Sequence, residues 1–247
     1  MNAARIEPEK LTSFSLQDIR VVSAADYPNK AVKLWSVGSV TASSLSKTME
    51  TSVGKGTLKE IAVQVIPVEW ERNMACLYQA MEKSGTISGL VVNTYGGCIR
   101  FNTRIVYAGT GHGARAPAPD KKYSGGASSK SSKPPPSSGL KYYNTPDDFI
   151  PVIDVRRSKF DFKKDLDDLL QLLKADCVVE SDFSKRFGLY DDPPVGSIVT
   201  VIHTVNGFKP KDTKDHKSPH PPNTYVTSFN VWAVLLHTDG LLPPSDN

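Results

Sequence analysis

The sequence predicts a β-dominated α+β fold, a barrel with two helices and one long insertion. Three observations point there. Two apolar runs near the C-terminus, 195–208 and 224–237, are rich in Val, Ile, Thr, Phe and Trp and bounded by Gly, Pro and Asn, the composition of paired strands. Two upstream stretches, 31–45 and 60–68, have the same strand-like character. Between 112 and 141 the chain is mostly Ser, Pro, Lys and Gly, which offers almost nothing to bury.

The elements follow in order. Residues 61–66 form a short apolar run suited to a buried strand. After Pro67, Trp70, Met74, Leu77 and Met81 recur at helical spacing, with Glu69 and Glu71 in the first turn and Gly85 where a C-cap belongs, so a helix is expected over 69–83. Its apolar stripe is the face packed on the sheet. Next come 89–95 and 99–107, separated by Gly96, Gly97 and Cys98; a Gly-Gly pair between alternating runs predicts a hairpin. Past the insertion, 149–155 reads as a strand and 160–173 as an amphipathic helix. Asp161 is its candidate N-cap, Leu166, Leu169, Leu170 and Leu173 its apolar side. Asp165, Asp167 and Asp168 are expected to face water near its positive end. The terminal hairpin closes the fold.

The insertion divides the chain into 1–111, a basic linker or inserted loop over 112–141, and 142–247. The flanks are then either two domains or one barrel that also uses 31–111. Charge is uneven: 12 Lys and Arg against 9 Asp and Glu in 1–111, 6 against 1 in 112–146, and 12 against 16 in 147–247. The middle segment, at +5, is a candidate polyanion contact. Cys76, Cys98 and Cys177 are odd in number and widely spaced, which predicts free thiols and an intracellular protein, in cytoplasm or nucleus. No apolar run reaches the ~20 residues of a membrane helix, and the N-terminus lacks the apolar core of a signal peptide.

Catalytic patterns are missing from the sequence. There is no Gly-x-Ser-x-Gly elbow and no complete phosphate loop; 52–57 only suggests one. His216 and His220 share a Pro-rich loop without a helix to converge them, so no metal is expected. Asp154 and Asp161 form no recognisable acid pair. His203 and His237 lie in the last two strands and could meet across the hairpin. A non-catalytic protein without a cofactor is the expectation.

Alternation in the last strand points Phe229, Val231, Ala233 and Leu235 into a core and leaves Ser228, Asn230 and Trp232 on the opposite face. Thr200, Thr204 and Asn206 of the neighbouring strand share that face. An indole there can stack a base. The alternative is that helix 160–173 covers this face and Trp232 belongs to the core. The loop between the strands carries Lys209, Lys211, Lys214 and Lys217, tempered by Asp212 and Asp215.

The order of strand, Ile66-Pro67, helix 69–83, basic insertion, then Gly196-Ser197 with Val199 and Val201, and finally 226–234 (Val-Thr-Ser-Phe-Asn-Val-Trp-Ala-Val), resembles the phage-type single-stranded DNA-binding proteins built on an OB barrel. The resemblance covers about 60–84 and 195–237. It implies an OB-like barrel that binds single-stranded nucleic acid, with the barrel strands and the 207–223 loop lining the groove. Trp232, Phe208 and Tyr225 would stack bases, Asn230, Thr200 and Thr204 would share the surface, and the four lysines would meet phosphates. Such proteins usually end in an acidic tail that recruits partners; this chain ends Pro-Pro-Ser-Asp-Asn, with a single Asp. Two other classes stay open: a structural or self-assembling barrel, forming a homo-oligomer, and a hydrolase using His203 or His237.

Overall fold

The computed structural model describes residues 5–16, 19–51, 56–107, 143–157, 160–162, 164–172, 186–210 and 219–240. In chain order the strands are β1 (Leu11–Leu16), β2 (Ile19–Ala24), β3 (Tyr27–Ala31), β4 (Leu34–Glu50) and β5 (Gly56–Val65), followed by α1 (Pro67–Glu82). Then come β6 (Gly89–Val92), β7 (Thr94–Tyr95), β8 (Cys98–Asn102), β9 (Val106–Tyr107), β10 (Val152–Asp154), α2 (Asp165–Leu172), β11 (Leu189–Tyr190), β12 (Ile198–Phe208) and β13 (Thr224–Leu236).

Five of these strands close a barrel. β12 pairs with β4, β4 with β5, β5 with β8, β8 with β13, and β13 returns to β12. All the pairings are antiparallel except β8–β13, which is parallel. Numbered along the chain, the barrel strands run 1-2-3-5-4 and back to 1. The fold is an α+β, OB-like barrel, with strands drawn from both sides of the 112–141 insertion.

The long hairpin β12–β13 is the spine. Beyond Leu34, where β4 begins, β2 takes over the edge of β12 through Val21, Arg20 and Ile19. Along the far edge of β13, three short strands pair in turn, all parallel: β6 at 224–227, β8 at 229–230 and β10 at 234–236.

Inside the barrel lie Val199, Val201, Val205, Phe229, Val231, Val234 and Leu236, packed with Ile61, Val63, Ile99 and Phe101. The expected inward set of β13 is half right. Between His203↔Val231 and Ile202↔Ala233 the register shifts, so Trp232 is an extra residue on β13. A bulge breaks the alternation of sides. Phe229 and Val231 point inward as expected, but Ala233 and Leu235 turn outward and Val234 and Leu236 replace them.

The outward side of this hairpin is buried as well. Ile202, Trp232, Ala233 and Leu235 pack with Ile153, Val155, Phe187 and Leu169 of α2. α2 begins at Asp165, four residues past the Asp161 expected to cap it. The Asp165 carboxylate instead accepts the Asp161 N–H at 2.7 Å and an Arg186 N–H at 2.7 Å. Asp167 and Asp168 face water as expected, but Asp165 is 4% exposed, because an ion pair holds it inside.

α1 closes one end of the barrel. Trp70 sits 5.4 Å from the ring of Phe229, and Met81 packs so tightly on Gly207 that a Cβ there would lie 3.1 Å from its sulfur. In its last turn the Met81 carbonyl, which lacks a helical partner, is met by a cation: Arg20 donates to Met81 O at 2.7 Å and to Gly85 O, just past the helix, at 2.8 Å. Gly85 takes φ +136°, a conformation other residues rarely adopt. The predicted Gly-Gly hairpin is present, with Gly96 and Gly97 both at positive φ between β7 and β8. Strands β1 to β3 were not anticipated. Residues 11–16 alternate apolar groups with Ser and Thr, and β3 carries no apolar face at all.

Two stability predictions follow from this interior. His203 is fully buried between Phe101 and Phe229, and burial lowers its pKa to about 3. The unfolded chain binds that proton near pH 6.5, so the stabilising effect of the neutral ring is complete above 6.5 and is lost as pH falls toward 3. His203→Leu should remove about 1.4 kcal/mol per pH unit from the acid slope over that window, read as urea midpoints at pH 7, 5.5 and 4. At Gly38 a Cβ would lie 2.6 Å from Val63 Cγ1 and closer still to the Gln64 carbonyl. Gly38→Ala is therefore expected to cost ~1–3 kcal/mol in the same assay.

Candidate nucleic-acid interface

The face on which sequence placed the stacking groups is covered. Trp232, Asn230, Thr200 and Thr204 do project to the outer side of the β12–β13 hairpin, yet they are only 5%, 3%, 2% and 1% exposed. The Trp232 indole donates to Thr204 Oγ1 at 3.2 Å, and the Lys33 amine lies 4.2 Å over its ring. A base cannot reach it. The reason is the apolar row beside it, Ile202, which alternation sends outward, and Ala233 and Leu235, which the bulge turns outward; the α2 layer must cover it. Tyr225 is buried too, with the Arg20 guanidinium 4.6 Å from its ring centre. Phe208 is exposed at the end of β12, and next to it Lys209 donates to Asn223 Oδ1 at 2.8 Å. Lys211, Lys214 and Lys217 lie outside the described residues, as do His216, Cys177 and the 112–141 insertion.

The two histidines do not meet. His203 Nε2 lies 3.0 Å from Ser36 Oγ inside the barrel, and its Nδ1 has no partner. A serine hydroxyl beside an imidazole has the makings of a nucleophile and base, but this ring is fully buried and its Nδ1 meets no acid among the described residues. His237 Nε2 lies 2.8 Å from Thr200 Oγ1, and burial lowers its pKa. Asp154 instead takes a bidentate contact from Arg156, at 2.8 Å from Nε and 2.6 Å from Nη2; those bonds lower its pKa. Among the described residues no three metal-ligating side chains cluster, and no helix is long and apolar enough to cross a membrane.

A different surface is polar, basic and open. On β8, Ile99 and Phe101 point into the barrel, so Arg100 and Asn102 point out, and Arg104 continues that side beyond the strand. Facing them on β5 are Ala62, paired with Arg100, and Glu60, paired with Asn102. Arg100 Nε lies 3.6 Å from Glu60, whose pKa burial raises and Arg100 lowers, with a net rise. Lys59 donates from its amine to Asp148 O at 2.9 Å. The Arg104 guanidinium sits 4.8 Å from the ring centre of half-buried Tyr143 and donates to its hydroxyl.

Two clasps hold this surface in place. Arg104 N–H donates to Asn144 O at 2.7 Å, and the Asn144 amide donates to Val231 O at 3.0 Å, so residues 143–144 are pinned to β13. At the far end of β4, Asp192 accepts from Ser43 Oγ at 2.6 Å, from the N–H groups of Leu45 at 2.6 Å and Ser46 at 3.2 Å, and from Ser46 Oγ. Burial alone would raise the Asp192 pKa; the donors outweigh it and the net shift is downward.

The basic segment is tethered here at both ends. β9 pairs with the start of β5 through Gly56↔Tyr107, and the chain returns at Tyr143, on Arg104. Sequence reading passed over Lys59, Arg100, Arg104 and Tyr143. The signal was present: Arg100, Asn102 and Arg104 alternate with Ile99 and Phe101, a period-2 pattern that sends the cations to one side.

No family model, curated protein or solved structure matches the chain.

Because Trp232 fills the layer under α2, Trp232→Ala is expected to destabilise the fold by ~3–5 kcal/mol. The check is a urea unfolding curve followed by circular dichroism. An unchanged midpoint would mean that the indole contributes no packing.

Proposed function

We propose that this chain binds single-stranded nucleic acid without chemical turnover, along the outer face of β5 and β8. The observation that carries the reading is that both ends of the +5 segment leave from the same part of the barrel that presents Arg100 and Arg104. In OB barrels the second and third strands form the ligand platform, flanked by the loops between strands one and two and strands four and five. β5 and β8 hold those positions here. Tyr143 and its neighbouring guanidinium supply a flat surface, and the lysine-bearing 209–223 connection is the counterpart of the second loop. A backbone-tracking cationic face with few base-reading groups suits binding with little sequence preference.

The test is binding of a fluorescent oligo(dT) across a salt series. Three or four phosphate contacts give a slope of log affinity against log salt of roughly −2 to −3. Arg100→Ala with Arg104→Ala should flatten that slope by about 1.4 and weaken binding at low salt. Replacing 112–141 with a short Gly-Ser linker should flatten it further. A folded protein that ignores oligo(dT) and oligo(rU) at low salt overturns the proposal. If native mass measurement then shows a closed multimer free of nucleic acid, the self-assembling barrel takes its place.

A further inference from the structure

A separate feature lies at the base of the arm that joins β4 to β5. Ser44 of β4 pairs with Glu60, and the next pair is Met49 with Leu58. Residues 45–48 therefore stand against Lys59 alone, and the Lys59 N–H turns away to Thr103 Oγ1 at 2.9 Å. A bulge of this kind frees backbone groups from the ladder. Among the described residues no strand takes them up on the other side. β12 pairs with β4 only as far as Ser39, and Gly196 and Ser197 extend that contact to Val40.

Two of the freed amides are consecutive, and they converge. The N–H groups of Leu45, at 2.6 Å, and Ser46, at 3.2 Å, both donate to the Asp192 carboxylate, joined by Ser43 Oγ at 2.6 Å and by Ser46 Oγ. Successive N–H groups aimed at one point form a nest, a concavity that binds anions. Each carboxylate oxygen takes two of these donors, and all four donors are neutral. The Leu45 side chain is buried in the barrel core, which fixes the cradle, while Ser46 on its rim is exposed. Lys47 follows, also exposed, and pairs with no carboxylate among the described residues.

We infer that this cradle is a phosphate-binding site and that Asp192 occupies it as a built-in competitor. A phosphodiester presents what the carboxylate presents: two terminal oxygens that share one negative charge and only accept. The same donors therefore serve either anion. Asp192 is half-buried and follows an exposed Asp191, so its carboxylate reaches water without unpacking the core. The inference rests on the single-strand reading for its biological ligand and extends it. Ser44 lies two strands from Asn102, through Glu60, roughly 10 Å across the sheet at the usual strand spacing. A nucleic-acid strand that continues past β5 toward β4 reaches the cradle, where Lys47 adds a positive charge. With Asp192 in place about nine-tenths of the time, the apparent affinity of the cradle falls about tenfold.

The test compares two adjacent carboxylates in the full chain. Asp192→Ala should bind oligo(dT) about five- to tenfold more tightly than the unsubstituted chain. Asp191→Ala removes the neighbouring charge and no cradle contact, so it should gain less than about twofold, the effect of a screened surface charge. Adding Ser46→Ala to Asp192→Ala should cancel the gain. Should Asp192→Ala fail to fold, the unsubstituted chain gives the answer: its Leu45 and Ser46 amide resonances should shift as oligo(dT) saturates it. Inorganic phosphate separates the cradle from the platform. Phosphate-dependent shifts at both amides without any oligo(dT) binding uphold the cradle and remove the strand platform. Oligo(dT) binding that leaves both amides unmoved, or equal gains from the two aspartate substitutions, overturns the cradle and leaves the platform standing. Indifference to both ligands overturns both readings.

Discussion

Everything in this molecule leans on the ladder between β12 and β13. Two strands this long cannot be half-buried, because both of their faces are apolar. One face fills the barrel. The other has to find a second layer, and α2 with β10 and the Phe160–Phe162 stretch supplies it. The bulge at Trp232 decides how the residues are shared between the two layers. By inserting one residue it sends Val234 and Leu236 to the barrel and Ala233 and Leu235 to the outer layer. Without it, the far half of the hairpin would offer its side chains to the wrong sides.

That bulge also marks the boundary between what the sequence discloses and what it conceals. The barrel strands, α1 and the Gly96-Gly97 turn are legible because each has a local cause: alternation, helical spacing, or glycines at positive φ. The placement of Trp232 has no local cause. A strict period of two assigns it outward, and outward is correct, but exposure is set by a layer formed from Ile153, Val155, Leu169 and Phe187, far away in sequence. Asp165 tells the same story. Its helix position predicts water, and its buried ion pair with Arg186 is a tertiary fact. On the candidate surface, Arg100 and Arg104 could be read from alternation alone. That they share a face with Tyr143 and both ends of the basic segment depends on β5–β8 and β5–β9 pairing, which no short window contains.

The interior carries an unusual polar element. A serine and a histidine bond to each other within a cage of aromatic rings, at the centre of an otherwise apolar barrel. The pair satisfies one ring nitrogen and leaves the other without a partner. Such a group is tolerated only while the ring stays neutral. Polar groups of this sort restrict the packings a core can adopt, since a shifted register would leave the hydroxyl unpaired as well.

The parallel contact between β8 and β13 sets the order in which this chain can take shape. β4, β5 and α1, followed by β8, can associate as soon as they leave the ribosome, since each neighbour is close in sequence. The barrel cannot shut until β12 and β13 arrive, beginning 96 and 122 residues after β8 ends. Until then β8 has an open edge and Phe101 lacks its partners Phe229 and His203. Lengthening the intervening chain adds little to the entropy of closure, because that cost grows only with the logarithm of loop length. The insertion between β9 and β10 is therefore thermodynamically cheap. Its burden is kinetic: a half-made sheet with an exposed aromatic face must wait through the synthesis of everything that follows, and topologies dominated by such distant pairings fold slowly.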